Sequence, residues 1–467
     1  MSKFMGRKSI AWIAGALLLI SFAFNAQAEG VSGPVRIVTL DPGHFHAALV
    51  QKFMYQGVDP LVHVYAPAGD DVVEHMKRID GFNKRKDQPT NWRTELYTGP
   101  DYLERMLKDK RGNVVVISGN NAHKAQYILS SIEAGLNVLA DKPMVITPPD
   151  LVKLKQAFAL AERRGTLLYD IMTERYEITS ILQRALSQQS EVFGTLLKGS
   201  VTDPAIRKES VHNYSKVVAG QALKRPQWFF DVRQQGEGLV DVTTHLVDLV
   251  QWQAFPEQTL QPADATVLRA QRTRTPLTLE QFRKVTGAVA FPDFLQKDVE
   301  KGVLNVYANG EFTYRLRDVH ALVSVRWDFE APPGAGDTHF SVMRGSKAAL
   351  TIQQGAAQQY KPVLYIERNK DVSAAAHDAA VEKAIASLQR DYPGVAVKRD
   401  GERWVVTVPE RYNVGHEAHF AQVTENFLKY LRSGKLPAWE VPNMLTKYAT
   451  IMQAYELSRP RQASGGR

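Results

Sequence analysis

The sequence predicts an α/β protein in two parts: a doubly wound parallel sheet, then an α+β half with a mostly antiparallel open sheet. Three observations predict it. Between residues 35 and 170, short apolar runs alternate with helical patterns, which is how βαβ units read. Those runs lack strict polar alternation, as strands covered on both faces do. After residue 176 several strands follow one another with no helix between them. Composition agrees: with 44% hydrophobic and 23% charged residues, 31 Gly and 23 Pro, collagen, a disordered tail protein and a multi-span membrane protein are excluded. A chain of 467 residues favours two domains over one.

The first 28 residues stand apart. Lys3, Arg7 and Lys8 give a positive start, residues 10–24 form an apolar run, and Ala26-Gln27-Ala28 offers a small-x-small cleavage pattern. That run is short for a membrane span of about 20 residues. The expectation is a signal peptide cleaved after Ala28, a periplasmic or secreted protein, and no stable membrane span after cleavage. Arg7-Lys8 is not a twin-arginine pair, so Sec export, which threads unfolded chain, is the expected route. Loss of the leader takes the net charge from +9 to +6. An excess so mild, without Lys/Arg runs interleaved with aromatics, argues against a nucleic-acid partner. There is no cysteine, hence no disulfide and no thiol catalysis.

The elements follow in order. Residues 35–40 (VRIVTL) read as a strand, followed by a turn and a helix over 47–55. Residues 61–65 (LVHVY) are a strand, 101–110 a helix and 113–117 (NVVVI) a strand. A helix over 122–134 ends at Gly135, a natural cap, before the strand 136–140 (LNVLA). A helix over 150–164 stops at Gly165, and 166–170 (TLLYD) is again a strand. This sets a first domain at 35–175. The second, 176–458, starts with a helix over 178–189, a strand near 195–201 and a helix over 242–254. Strands at 303–307, 312–316, 321–327, 339–343 and 348–352 come next. A surface helix over 371–389 falls within an insertion, 356–414. Two long amphipathic helices, 416–431 and 440–457, close the domain, and 459–467 reads as a disordered tail.

Ligands of open parallel sheets sit beyond the carboxyl ends of the strands, so those loops carry the candidates. The first holds Gly43, His44 and Phe45. A dinucleotide loop should show G-x-G-x-x-G, so that backbone can approach the pyrophosphate at a helix N-terminus. Only Gly43 fits; Val38 and Leu40 stand in the other two places. Asp70 and Asp71, just past the second strand, are either ribose ligands or solvated loop acids. In the next loop Asn120, Asn121 and His123 could bond a ligand, or Asn could cap the helix that follows. Asp141 and Lys142 end another strand; a lysine there can polarise a hydroxyl or carbonyl, though such a tripeptide can also be a surface turn. In 236–248 (GEGLVDVTTHLVD), a helix would place Asp241 and His245 on one face. A carboxylate beside an imidazole can orient it for proton transfer, or simply form an ion pair on an amphipathic helix. Asp248 lies near the same side and reads as structural. His44-x-His46 and His416-x-x-His419 could ligate a metal in an amidohydrolase-type barrel. The eight-fold βα count that such a barrel needs is missing, and no metal is expected.

Two stretches together carry a resemblance. Residues 120–143 (NNAHKAQYILSSIEAGLNVLADKP) are similar to the N…H…AGKHVLxEKP run of the Gfo/Idh/MocA oxidoreductases, and 236–248 to that family's GGGxLxDxGxHxxD helix. The closing segment 420–457 looks like its C-terminal helix pair. The resemblance covers most of the chain outside 1–28 and 356–414. It implies an N-terminal Rossmann-type dinucleotide-binding domain and NAD or NADP as cofactor, with Gly43, His44, Phe45, Asn120, Asn121, His123, Asp141 and Lys142 around it. It further implies that Lys142 lies between nicotinamide and substrate, that His245 removes the hydroxyl proton, and that Asp241 supports His245. The chain departs from the family in its reduced glycine loop, in Asp141 for the commoner Glu, and in lacking an evident ribose acid.

The function so implied is an exported NAD(P)-dependent oxidoreductase acting on a hydroxyl or keto group of a sugar, polyol or glycoside. Two alternatives stand beside it. One is a redox-neutral glycosidase or lyase that works through a transient keto-sugar on a tightly bound cofactor. The other is a non-catalytic carbohydrate-binding envelope protein. Arg175, Tyr176 and Trp228 are of the types that suit sugar hydroxyls and faces. A homo-oligomer, dimer or tetramer, is expected by resemblance.

Overall fold

The computed structural model describes residues 30–218 and 221–460. The predicted leader, its cleavage point after Ala28, and residues 461–467 of the predicted tail lie outside the described residues. Six strands build the first sheet: β1 (Ile37–Leu40), β2 (Leu61–Tyr65), β3 (Arg93–Tyr97), β4 (Val114–Ile117), β5 (Asn137–Asp141) and β6 (Leu168–Ile171). They run in the order β3-β2-β1-β4-β5-β6, every pair parallel. β1, β4 and β6 are buried at every position, which is why they lack the polar alternation of a half-exposed strand. The strand order reverses between β1 and β4, so the crevice for a ligand opens there, at the strands' carboxyl ends.

Helices α1 (His46–Leu49), α2 (Asp70–Lys84), α3 (Tyr102–Asp109), α4 (Asn121–Glu133), α5 (Pro148–Arg164) and α6 (Ile178–Ser187) connect these strands and lead out of the sheet. The helix expected over 47–55 is shorter than predicted. Past α1 the chain tightens into three-residue turns, Gln51 N–H donating to Ala48 O (2.9 Å) and Lys52 N–H to Leu49 O (3.2 Å).

The second sheet has ten strands. Along its path stand Ala265–Thr278, Val303–Leu316, Val319–Glu330, β7 (Ile206–Ser215), Thr338–Arg344, Ala348–Gln354, Val363–Arg368, Arg403–Thr407 and Ala396–Asp400. One pair, β7 with Val319–Glu330, is parallel; the rest are antiparallel. Residues 303–307 and 312–316 belong to one strand, and three strands from within 356–414 extend the same sheet. No strand forms over 195–201. That stretch turns at Gly199 (φ 63°) and meets the sheet through single hydrogen bonds, Leu197 N–H donating to Arg344 O (2.9 Å) and His320 N–H to Lys198 O (2.8 Å). β7 takes its place. It places Lys208 and Ser210 on buried positions, so its sequence hides the apolar period. Helix α7 (Thr243–Ala254) packs on the second sheet, the closing helix His416–Ser433 packs against α1 and β6 of the first half, and Glu440–Leu457 touches both halves.

Candidate active site

Three strand-end loops meet at the crevice. Asp141, at the end of β5, is 3% exposed and gathers the first set of contacts. Its Oδ2 bonds His46 Nδ1 and accepts from Ser118 Oγ, both at 2.9 Å, while Oδ1 accepts from the Lys142 backbone N–H (2.9 Å). The fully buried Lys124 of α4 donates to the Asp141 carbonyl at 2.8 Å, and burial lowers its ammonium to about 8. The β1 and β4 loops are pressed together. A Cβ on Gly119 would lie 2.0 Å from Asp41 O and 2.9 Å from Gly43 N, so this approach requires glycine.

From the second half, residues 234–241 dock onto these loops. Asn120 caps α4, accepting from Ala122 N–H (3.0 Å), and its amide donates to Gln234 Oε1 (2.8 Å). Asn121 donates to Gln235 O (2.7 Å). Of the two readings open for these asparagines, capping is formed, and both amides are spent on joining the halves. Lys142 Nζ donates to Asp241 Oδ1 at 2.6 Å, and Gln235 Nε2 to Asp241 Oδ2 at 3.1 Å.

The sequence leads to an Asp241–His245 pair; the structure pairs Asp241 with Lys142 instead. α7 begins at Thr243, so Asp241 sits in the turn before it, outside the helical ladder that would set it beside His245. The His245 Nδ1 atom has no bonding partner among the described residues. Burial first, and the Lys142 ammonium second, hold His245 well below its ordinary pKa, so the ring is neutral at pH 7.

α7 is fixed by a buried ionic cluster. Arg175 grips both oxygens of Asp248 (2.6 and 2.7 Å) and bonds Glu440 (2.9 Å). Lys447 bridges Asp248 (2.8 Å) and Asp170 at the end of β6 (2.7 Å). Arg175, read as a candidate sugar ligand, is thereby committed to structure, and Asp248 is structural as expected. Tyr176 packs against the core.

Beyond the β1 loop lies a cleft of about 450 Å³. Its walls include Gly43, His44, Phe45 and Asp71 from the first half and Arg225 and Trp228 from the second. Trp228 Nε1 donates to Asp71 Oδ2 (2.7 Å) across the boundary, and burial pushes Asp71 up to about 6. The cleft lies beyond the carboxyl ends of β1 and β2, bordered by an acid just past β2, and it adjoins the Lys142 site through His44, which lines both. These residues fit a dinucleotide: Asp71 for the ribose, the loop from Asp41 to Phe45 for the diphosphate, Lys142 beside the nicotinamide. His123 is exposed, 5.8 Å between ring centroids from Tyr127, whose hydroxyl bonds Asp41 (2.9 Å).

One ligand atom from each of His44, His46 and Asp141 falls within 4.8 Å of the others, and His416 Nε2 lies 3.4 Å from His46 Nε2. A metal ion could use that spacing. Against it, the carboxylate already serves Ser118 and the Lys142 backbone, and the charges of Lys124 and Lys142 bear on His46. Sequence reasoning missed Arg225 and the Asp71–Trp228 contact; both depend on a crossing between the halves that no local pattern announces.

Comparison with known proteins places these observations. Residues 74–169 match the family model "Oxidoreductase family, NAD-binding Rossmann fold", and residues 182–459 match "Putative oxidoreductase C terminal domain". A search of curated proteins gives no match. Among solved structures, a "putative oxidoreductase" from Parabacteroides merdae is 53% identical over 92% of this chain and 98% of its own, with a TM-score of 0.90. The fold is shared with a 3-ketoreductase from Actinomadura kijaniata, KijD10, solved with NADP (16% identity, 90% and 96% covered, TM-score 0.53). It is shared also with a levoglucosan dehydrogenase solved with NADH and levoglucosan (13%, 91% and 97%, TM-score 0.57). Among the described residues no helix is long and apolar enough to cross a membrane. With its NAD-binding Rossmann sheet, its C-terminal oxidoreductase domain and both halves matched, the chain belongs to the Gfo/Idh/MocA oxidoreductase family.

Proposed function

We propose that this oxidoreductase acts on a hydroxyl or keto group of a sugar, polyol or glycoside, with Lys142, Asp241 and His245 as its catalytic residues. One observation carries the reading. A lysine at the end of β5 is held 2.6 Å from a carboxylate, and its charge acts on a buried neutral imidazole on the first turn of α7. The nicotinamide, when bound, supplies hydride transfer at a carbinol carbon. Lys142 faces the oxygen on which charge develops and stabilises it as alkoxide. Asp241 fixes that ammonium through their 2.6 Å hydrogen bond. His245, neutral and shielded, takes the hydroxyl proton. The levoglucosan bound by the levoglucosan dehydrogenase, and the keto-group reduction for which the 3-ketoreductase is named, support the substrate class.

The test is His245→Ala. Turnover should vanish while fold and bound nucleotide are unchanged; substantial residual rate removes His245 from the base role. A redox-neutral variant of the chemistry, with the cofactor never released, is the second reading. Turnover of glycosides with no net change in nicotinamide absorbance distinguishes it. Export to the periplasm or beyond is supported by the leader pattern of residues 1–28, and sequencing a mature N-terminus at Glu29 would check it. Assembly as a dimer or tetramer completes the proposal.

A further inference from the structure

Arg225 is 4% exposed, yet among the described residues no carboxylate is in contact with it; Asp337 and Asp241 act on its charge only from a distance. Its Nε donates to Tyr214 O (2.8 Å) and its Nη2 to Asn213 O (3.1 Å), and its own backbone N–H donates to Val285 O (2.8 Å). The guanidinium carbon lies 4.5 Å from the Phe229 ring centroid and 5.1 Å from that of Trp327. The group is therefore rigidly mounted on the second half. Burying a charge without an opposite one is costly, and burial lowers this guanidinium to about 10.

Its position supplies a reason. Arg225 forms part of the cleft wall that faces Asp41 to Phe45, and its charge acts on His44. The β1 loop opposite offers one glycine where a dinucleotide loop has three, so backbone alone gives the diphosphate a poor cradle. An anion in this cleft would face a preset, planar guanidinium.

We propose that Arg225 is the counter-charge for the dinucleotide's diphosphate, delivered across the cleft by the C-terminal half in place of the missing glycine loop. The proposal rests on the reading that this cleft holds the dinucleotide.

The experiment is titration of the full chain with NADH by fluorescence, with ADP and adenosine as competitors, in wild type, Arg225→Gln and Arg225→Lys. Gln can keep the bond to Tyr214 O while removing the charge. The expected result for Arg225→Gln is a 10- to 100-fold loss for NADH and ADP, with adenosine within about twofold of wild type. Arg225→Lys should fall between. Equal losses for ADP and adenosine, or no loss for ADP, overturn the assignment. If Arg225→Gln loses its cooperative melt, Arg225→Lys decides: ADP weakened several-fold with adenosine unchanged supports the role, and parity overturns it. Wild type that binds no NADH would instead refute the cleft as the dinucleotide site.

Discussion

Lys208 permits a stability prediction whose size and pH dependence both follow from the structure. It stands on β7, fully buried, with Nζ donating to Ser341 Oγ at 2.7 Å and reaching Gln183 Oε1 at 3.3 Å. Among the described residues no opposite charge accompanies it, and burial alone lowers the ammonium to about 7. The group then loses its proton on folding over the range from about 7 to 10.5, where the unfolded chain keeps it. Stability must therefore rise with pH across that window and be lowest below it. At about 1.4 kcal/mol per pKa unit, the full penalty at acid pH is about 5 kcal/mol, and about 2 kcal/mol of it is relieved between pH 7 and 9. Lys208→Met removes the charge at similar volume. It also leaves Ser341 Oγ bonded to Gln183 Oε1 (3.1 Å), so no orphaned pair results. Urea unfolding of both proteins at pH 7 and pH 9 isolates this one group, because the other titrations cancel in the difference. Lys208→Met should be the more stable at pH 7, and its advantage should shrink by about 2 kcal/mol at pH 9. A difference that does not change with pH would refute the argument.

Other outcomes follow from the same contacts. Gly119→Ala places a methyl 2.0 Å from Asp41 O, so the β1 and β4 loops must separate; NADH titration should show at least a tenfold loss, with a melting point several degrees lower. Asp248→Asn leaves Arg175 and Lys447 without their shared carboxylate, and thermal or urea unfolding should report a loss of about 3–5 kcal/mol. Asp248 is held well below its ordinary pKa by those two cations against the pull of burial. Acidification therefore removes its contribution only well below pH 4, and the melting point of Asp248→Asn should approach that of wild type only there. Dialysis against a chelator should leave turnover unchanged, given the charges around His46; a loss restored by a divalent cation would instead place a metal at His44, His46 and Asp141.

What the sequence shows and hides here has a common physical basis. β4 is buried on both faces, so its need for apolar side chains is local and visible. β3 is an edge strand with three exposed residues of five (Arg93, Glu95, Leu96), and Ala265–Thr278 is an edge strand of Arg and Thr; neither must be apolar, and neither was seen. The site divides the same way. Lys142, Asp241 and His245 were legible because their spacing along two elements forms a recognisable pattern. The partnership within that set was not, because it depends on where α7 begins. A start two residues earlier would have put Asp241 over His245; the observed start at Thr243 gives its carboxylate to Lys142. That leaves His245 neutral and unsupported by an acid, so activity carried by this ring should show no ionisation of His245 between pH 6 and 8. A rate that falls in that interval in wild type but not in Asp241→Asn would mean that the carboxylate turns back to the imidazole during the reaction.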